Sequence, residues 1–169
     1  MLNFVEGDLL DAKEKYIAHQ CNCVTKRAAH LAQAVFGRFP YADVYTGRTT
    51  PNKPGTIRIM GDGDSQRYVI NMFGQYYPGS PKAINEGAYN LDGKKIREHY
   101  FHQCLLRIYH MKDLESIAFP AGIGCGLAGG NWNYYFGTLK NFAKYVSESK
   151  NVKVVLYQLP DSHFKHDSK

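Results

Sequence analysis

The sequence has no apolar run approaching the ~18 residues a bilayer-spanning helix needs, and no basic-then-apolar opening that reads as a secretory leader. It is short of cysteine: four in 169 residues are too few for a disulfide scaffold. Cys21 and Cys23 stand one residue apart with only His19 and His30 nearby. Neither the four-cysteine nor the Cys/His zinc spacing is present, so no metal and no cofactor is expected. Like charges never run to five. The formal charge of +6 is scattered over residues such as Lys13, Lys26, Arg27, Arg38, Arg48, Lys94 and Lys165. That excludes a dedicated nucleic-acid arm, although a positive field still favours anionic partners. A reduced, intracellular monomer with no membrane partner is the expectation.

What is present is an ordinary globular composition, 44% hydrophobic and 14% aromatic, enough for one core. A single domain is expected over 1–160, with a frayed tail over 161–169. Leu2 to Glu6 reads as a short strand, and Tyr16 to His19 as a second. Thr25 is placed to cap a helix whose apolar positions are Ala28, Leu31, Ala32, Val35 and Phe36, closed by Pro40. Thr56 to Met60 and Tyr68 to Phe73 flank Gly61-Asp62-Gly63-Asp64 as a hairpin. A long loop, Gly74 to Asn90, precedes a helix capped by Asp92 with Ile96, Tyr100, Cys104, Leu105 and Ile108 inward. Ser116 to Phe119 is a strand, Asn131 caps a helix from Trp132 to Val146, and Val152 to Tyr157 is a nearly unbroken apolar strand. Strands interleaved with helices predict an α/β sandwich.

Three loops could carry chemistry. The run from Pro120 to Gly130 holds five glycines in nine residues between a strand and a capped helix. Glycine leaves backbone N–H groups unshielded, so such a loop can wrap a pyrophosphate. It matches neither the dinucleotide fingerprint nor a P-loop. Gln20 to Ala29 is the second loop; there Asn22 offers a donor and an acceptor to sugar hydroxyls, and His30 could protonate or polarise a phosphate. Gly7-Asp8-Leu9 is the third, with Asp8 able to accept from an exocyclic amine. A rival motif lies in the second loop. Cys21 and Arg27 have the Cys-x5-Arg spacing of thiolate phosphatases, but the residues between them lack the glycine that curls amides inward.

Together these loops resemble the macro domain family over nearly the whole chain. The resemblance runs from Gly7-Asp8-Leu9 through Ile17-Ala18-His19-Gln20-Cys21-Asn22 to Phe119-Pro120-Ala121-Gly122-Ile123-Gly124-Cys125-Gly126-Leu127-Ala128-Gly129-Gly130-Asn131-Trp132 and Val155-Leu156-Tyr157. The glycine-rich block is similar to the branch holding ADP-ribose 1″-phosphate phosphatases and terminal ADP-ribose hydrolases. The resemblance implies a three-layer sandwich, a mixed central sheet with helices on both faces, and ADP-ribose as ligand. It implies that Asp8 and Leu9 meet the adenine, that Asn22 meets the distal ribose, and that Ala28, Ala29, His30 and Leu31 flank the diphosphate. Gly122, Ile123, Gly124, Cys125, Gly126, Leu127 and Ala128 would wrap diphosphate and ribose, and Leu159 would close over the adenine.

Two departures matter. Many members have a glycine run where this chain reads Ala28-Ala29-His30, and the terminal hydrolases carry Asp where this chain has Ala128. Their lysine nucleophile falls where this chain reads Gly74-Gln75-Tyr76-Tyr77-Pro78. Hydrolysis of ADP-ribose 1″-phosphate is therefore expected, with His30 and Asn22 catalytic and Gln75 or Tyr76 ordering a water. The alternative is a non-catalytic reader of ADP-ribose on protein or nucleic acid.

Overall fold

The computed structural model describes residues 1–82 and 91–164. The stretch 83–90 of the long loop and residues 165–169 of the expected tail lie outside the described residues. Six strands and three α-helices follow in the order β1 (Leu2–Glu6), β2 (Tyr16–Cys21), α1 (His30–Arg38), β3 (Ile57–Met60), β4 (Tyr68–Phe73), α2 (Lys94–Tyr109), β5 (Ser116–Pro120), α3 (Trp132–Lys150) and β6 (Lys153–Gln158). The strands form one sheet in the order β1-β6-β5-β2-β4-β3. Five run parallel, and only the edge strand β3 is antiparallel, paired with β4 through the expected hairpin.

A strand's side chains alternate between the two faces, so each inner strand feeds two cores. In β2, Tyr16 and Ala18 face α2 and α3, while Ile17 and Cys21 face α1. The first core is the larger, built on Ile70, Met72, Phe101, Ile117, Phe119, Leu139, Val154 and Leu156. The second joins Val35 and Phe36 of α1 to Ile17, Val69 and Phe73. Helices on both faces of a mixed sheet make the expected three-layer sandwich. Among the described residues no helix is long and apolar enough to cross a membrane, and no three His, Cys, Asp or Glu stand together to hold a metal.

Two helix starts differ from the sequence expectation. α1 begins at His30, and its N-cap is Ala29, which makes no side-chain cap bond. Thr25 does not cap it; its amide and hydroxyl both donate to Asn22 Oδ1. Leu31, expected inside, is exposed as a consequence. At α2 the N-cap is Gly93. Asp92 instead accepts from the Tyr76 and Tyr77 amides at 2.9 and 3.1 Å. Asn131 caps α3 as expected, accepting from the Asn133 amide at 3.0 Å.

Candidate functional site

Five parallel strands bring their C-terminal ends to one edge of the sheet, where ligand crevices of α/β folds open. A cleft of ≈ 350 Å³ lies there between two strand-to-helix loops.

One wall is the glycine loop. Pro120, Ala121, Gly122, Ile123, Gly124, Cys125, Leu127 and Ala128 line the cleft. Gly122, Gly124, Gly126 and Gly129 all take positive φ, so the chain folds as a succession of tight turns. Those turns use the amides of Ile123, Cys125, Ala128, Gly129 and Gly130. The amides of the cleft-lining Gly122, Gly124 and Leu127 donate to no carbonyl of the loop, which leaves them for an anion. The glycines also serve packing. A Cβ at Gly124 would overlap the Tyr135 ring of α3, and one at Gly130 would overlap the Gly124 carbonyl.

The other wall is the loop into α1, from which Asn22, Arg27, Ala29, His30, Leu31 and Ala32 line the cleft. The first i→i−4 bond of the helix is Gln33 to Ala29, so the amides of His30, Leu31 and Ala32 precede the ladder and favour an anion. His30 sits at φ 54, a left-handed conformation that costs a β-carbon residue about 1–2 kcal/mol. Asn22 is 8% exposed, and its Oδ1 accepts from the Val24 and Thr25 amides and the Thr25 hydroxyl. The acceptor expected for a sugar hydroxyl is thus spent on the loop, and only the amide donor serves a ligand. Tyr45, whose hydroxyl accepts from the Asn22 amide at 2.8 Å, and Arg48, whose Nη1 donates to the Asn22 carbonyl at 3.2 Å, fix this wall from behind.

The floor contains Gln20 and Gln75. Tyr77 C=O can only accept, so Gln75 Nε2 donates to it at 2.8 Å, and Gln75 Oε1 accepts from Gln20 Nε2 at 2.7 Å. These two bonds fix the Gln75 side chain and leave one Nε2–H and one Oε1 lone pair uncommitted at the cleft floor. Tyr76 packs into the second core and does not line the cleft.

Arg97 ties the glycine loop to the long loop. It is 2% exposed and pairs with Asp92, itself fully buried, at 2.6 Å. Its remaining donors reach the carbonyls of Tyr77, Gly79 and Ser80 on the long loop and of Ala128 on the glycine loop. Sequence reading missed this pair, yet Arg97 shares a helical stripe with buried Phe101, Cys104 and Ile108, and a charge on such a stripe is the legible signal.

The cleft is electropositive by composition. Arg27 is its one side chain of fixed charge, and among the described residues no Asp or Glu lines it. Arg27 entered the sequence reading only through its spacing from Cys21. That rival fails, because Cys21 is 1% exposed on the core side of β2 and burial pushes its thiol far above the usual range. Burial likewise pushes the cleft-lining Cys125 up to about 12, so it is no thiolate nucleophile at neutral pH. Lys82, the described lysine of the long loop, donates from Nζ to the Pro78 carbonyl at 3.0 Å and does not line the cleft.

Asp8, Leu9, Ala28, Gly126 and Leu159 do not line the cleft either. Ala28 packs toward the second core, and Leu9 is 4% exposed within it. Asp8 Oδ1 accepts from the Leu10 amide. The Gly7 amide donates to the Gln158 carbonyl at 2.9 Å, so Asp8 and Leu159 neighbour each other at the ends of β1 and β6.

Sheet order, crossovers and cleft define an α/β sandwich with a ligand crevice at its strand ends. No protein-family model matches the sequence, and no curated protein matches it. Solved structures do. The macrodomain of Mycobacterium tuberculosis DarG superposes with a TM-score of 0.64 at 18% identity, over 93% of this chain and 97% of that one. The macrodomain of Thermus aquaticus DarG gives 0.63 at 22%, over the same shares. A Trypanosoma brucei macrodomain in complex with ADP-ribose gives 0.62 at 15%, over 94% of this chain and 63% of that one. The chain has the macrodomain fold.

Proposed function

We propose that the cleft binds ADP-ribose and that the chain hydrolyses ADP-ribose 1″-phosphate to ADP-ribose and phosphate. The diphosphate lies between the free amides of the glycine loop and the N-terminus of α1, with Arg27 beside it. The adenine extends toward Asp8, Leu9 and Leu159, and the distal ribose meets the Asn22 amide. The observation that carries the reading is a cleft built for an anion: unspent main-chain donors on both walls, one arginine and no lining carboxylate. The bound ADP-ribose of the Trypanosoma brucei macrodomain, which shares the fold, supports it. In the chemical step water attacks the terminal phosphorus and passes a proton to a phosphoryl oxygen as the bond from phosphorus to the C1″ oxygen breaks; His30 gives its proton to the departing oxygen and takes one back from solvent.

The second reading, a binder without turnover, is favoured by the missing carboxylate: among the described residues no Asp or Glu lines the cleft to take a proton from an attacking water. Phosphate release from ADP-ribose 1″-phosphate separates the two. Turnover by the wild type that is lost in His30→Ala, with ADP-ribose affinity kept, supports the hydrolase. Tight ADP-ribose binding with no phosphate above the His30→Ala background leaves the reader.

A further inference from the structure

The segment after β6 returns to the site. The Ser162 amide donates to the Leu159 carbonyl at 3.0 Å and the Phe164 amide to Ser162 Oγ at 3.1 Å, which turns the chain back over the molecule. The Phe164 ring lands on the glycine loop. A Cβ at Gly122 would overlap that ring, and one at Gly126 would touch it at 3.6 Å. The ring also packs on Trp132, the first residue of α3, with centroids 5.7 Å apart at 65°. Phe164 does not line the cleft, so it bears on the loop from behind. Residues 161–164, expected to fray, are therefore the cover of this loop.

Such a cover has an energetic consequence. Glycines give up more conformational freedom on ordering than any other residue. A glycine loop that becomes ordered only around its ligand adds that cost to binding, whereas a loop held beforehand does not. Tyr135 fills the space a Gly124 side chain would need, Arg97 holds the Ala128 carbonyl, and Phe164 backs Gly122 and Gly126. Among the described residues, Phe164 is the side chain that backs the first half of the loop from the segment after β6.

We propose that Phe164 is a positioning residue of the nucleotide site: its ring, laid on Gly122 and Gly126, holds the glycine loop with its amides ready for the diphosphate. The assignment rests on the ADP-ribose reading, and the protein contains its own reporter. Trp132 is the only tryptophan, and its indole N–H is buried without a partner, so loss of the covering ring lets water reach it.

The test compares wild type, Phe164→Ala and Phe164→Tyr by Trp132 emission without ligand and by calorimetric titration with ADP-ribose. In Phe164→Ala the emission shifts to the red and the affinity falls ~10-fold; Phe164→Tyr restores both. Wild-type affinity in Phe164→Ala alongside shifted emission overturns the proposal, because the ring would then pack without positioning. Should Phe164→Ala not fold, Phe164→Leu takes its place: an intermediate loss of affinity supports the proposal, and wild-type affinity overturns it. If wild type itself does not bind ADP-ribose, the functional reading fails. Positioning is then decided by amide hydrogen exchange at Gly122, Gly124 and Gly126 without ligand, faster in the variant if Phe164 holds the loop and unchanged if it does not.

Discussion

The two walls of the cleft are built in opposite ways. The glycine wall offers main chain: it carries no polar side chain, and its shape is imposed by Tyr135, Phe164 and Arg97 behind it. The α1 wall offers side chains, Arg27 and His30, beside the amides of His30, Leu31 and Ala32, on a loop fixed by Asn22, Tyr45 and Arg48. Preorganised amides recognise a diphosphate without regard to what is attached to it, whereas arginine and histidine set which further charge is tolerated and whether a proton moves. On the proposed reading both walls supply donors for affinity, and His30 of the second wall carries the proton.

The comparison breaks most severely at Arg97. Arg97→Met leaves the Asp92 carboxylate buried without its cation and releases both loops, which costs about 3–5 kcal/mol in urea denaturation; Asp92→Asn in the same chain recovers part of it. Acid weakens the support of the α1 wall next. Burial lowers His19 to about 4, and because the Asn71 amide nitrogen donates to the Ala42 carbonyl, Asn71 Oδ1 accepts from His19 Nε2–H, the neutral tautomer. The unfolded chain takes up this proton near pH 6.5, while the folded one resists until about 4. Stability therefore falls as pH drops from about 6.5 toward 4, by about 2 kcal/mol between pH 7.5 and 5. His19→Gln removes that contribution, and an unchanged pH dependence in this variant would contradict the burial argument.

Arg27→Ala weakens ADP-ribose binding ~10-fold at low ionic strength, with the gap narrowing as salt is added. The smallest effect on stability is expected for His30→Gly. Glycine accepts φ 54 at no steric cost, so the variant is as stable as wild type or gains about 1 kcal/mol, while phosphate release is lost. Together these two variants separate the roles of the α1 wall's own side chains: Arg27 moves affinity, His30 turnover.

The strands, the hairpin and the Asn131 cap were legible because alternation, turn glycines and a capping side chain act within a few residues. The glycine loop was legible for the same reason. Arg97, the Gln20–Gln75 pair and the Phe164 cover were not, since each joins segments far apart in sequence. Thr25 was misread because its hydroxyl has two uses within hydrogen-bond range, capping a helix or donating to Asn22, and only the folded loop decides between them. Asp92 was displaced from its cap by the same competition, a buried arginine proving the stronger partner.

The central claim is settled most directly by following backbone amide resonances during titration with ADP-ribose. The account predicts the largest shifts at Gly122, Gly124 and Leu127, together with His30 to Ala32. Saturable binding that leaves those amides unmoved, or equal shifts with inorganic pyrophosphate and unrelated anions, contradicts it.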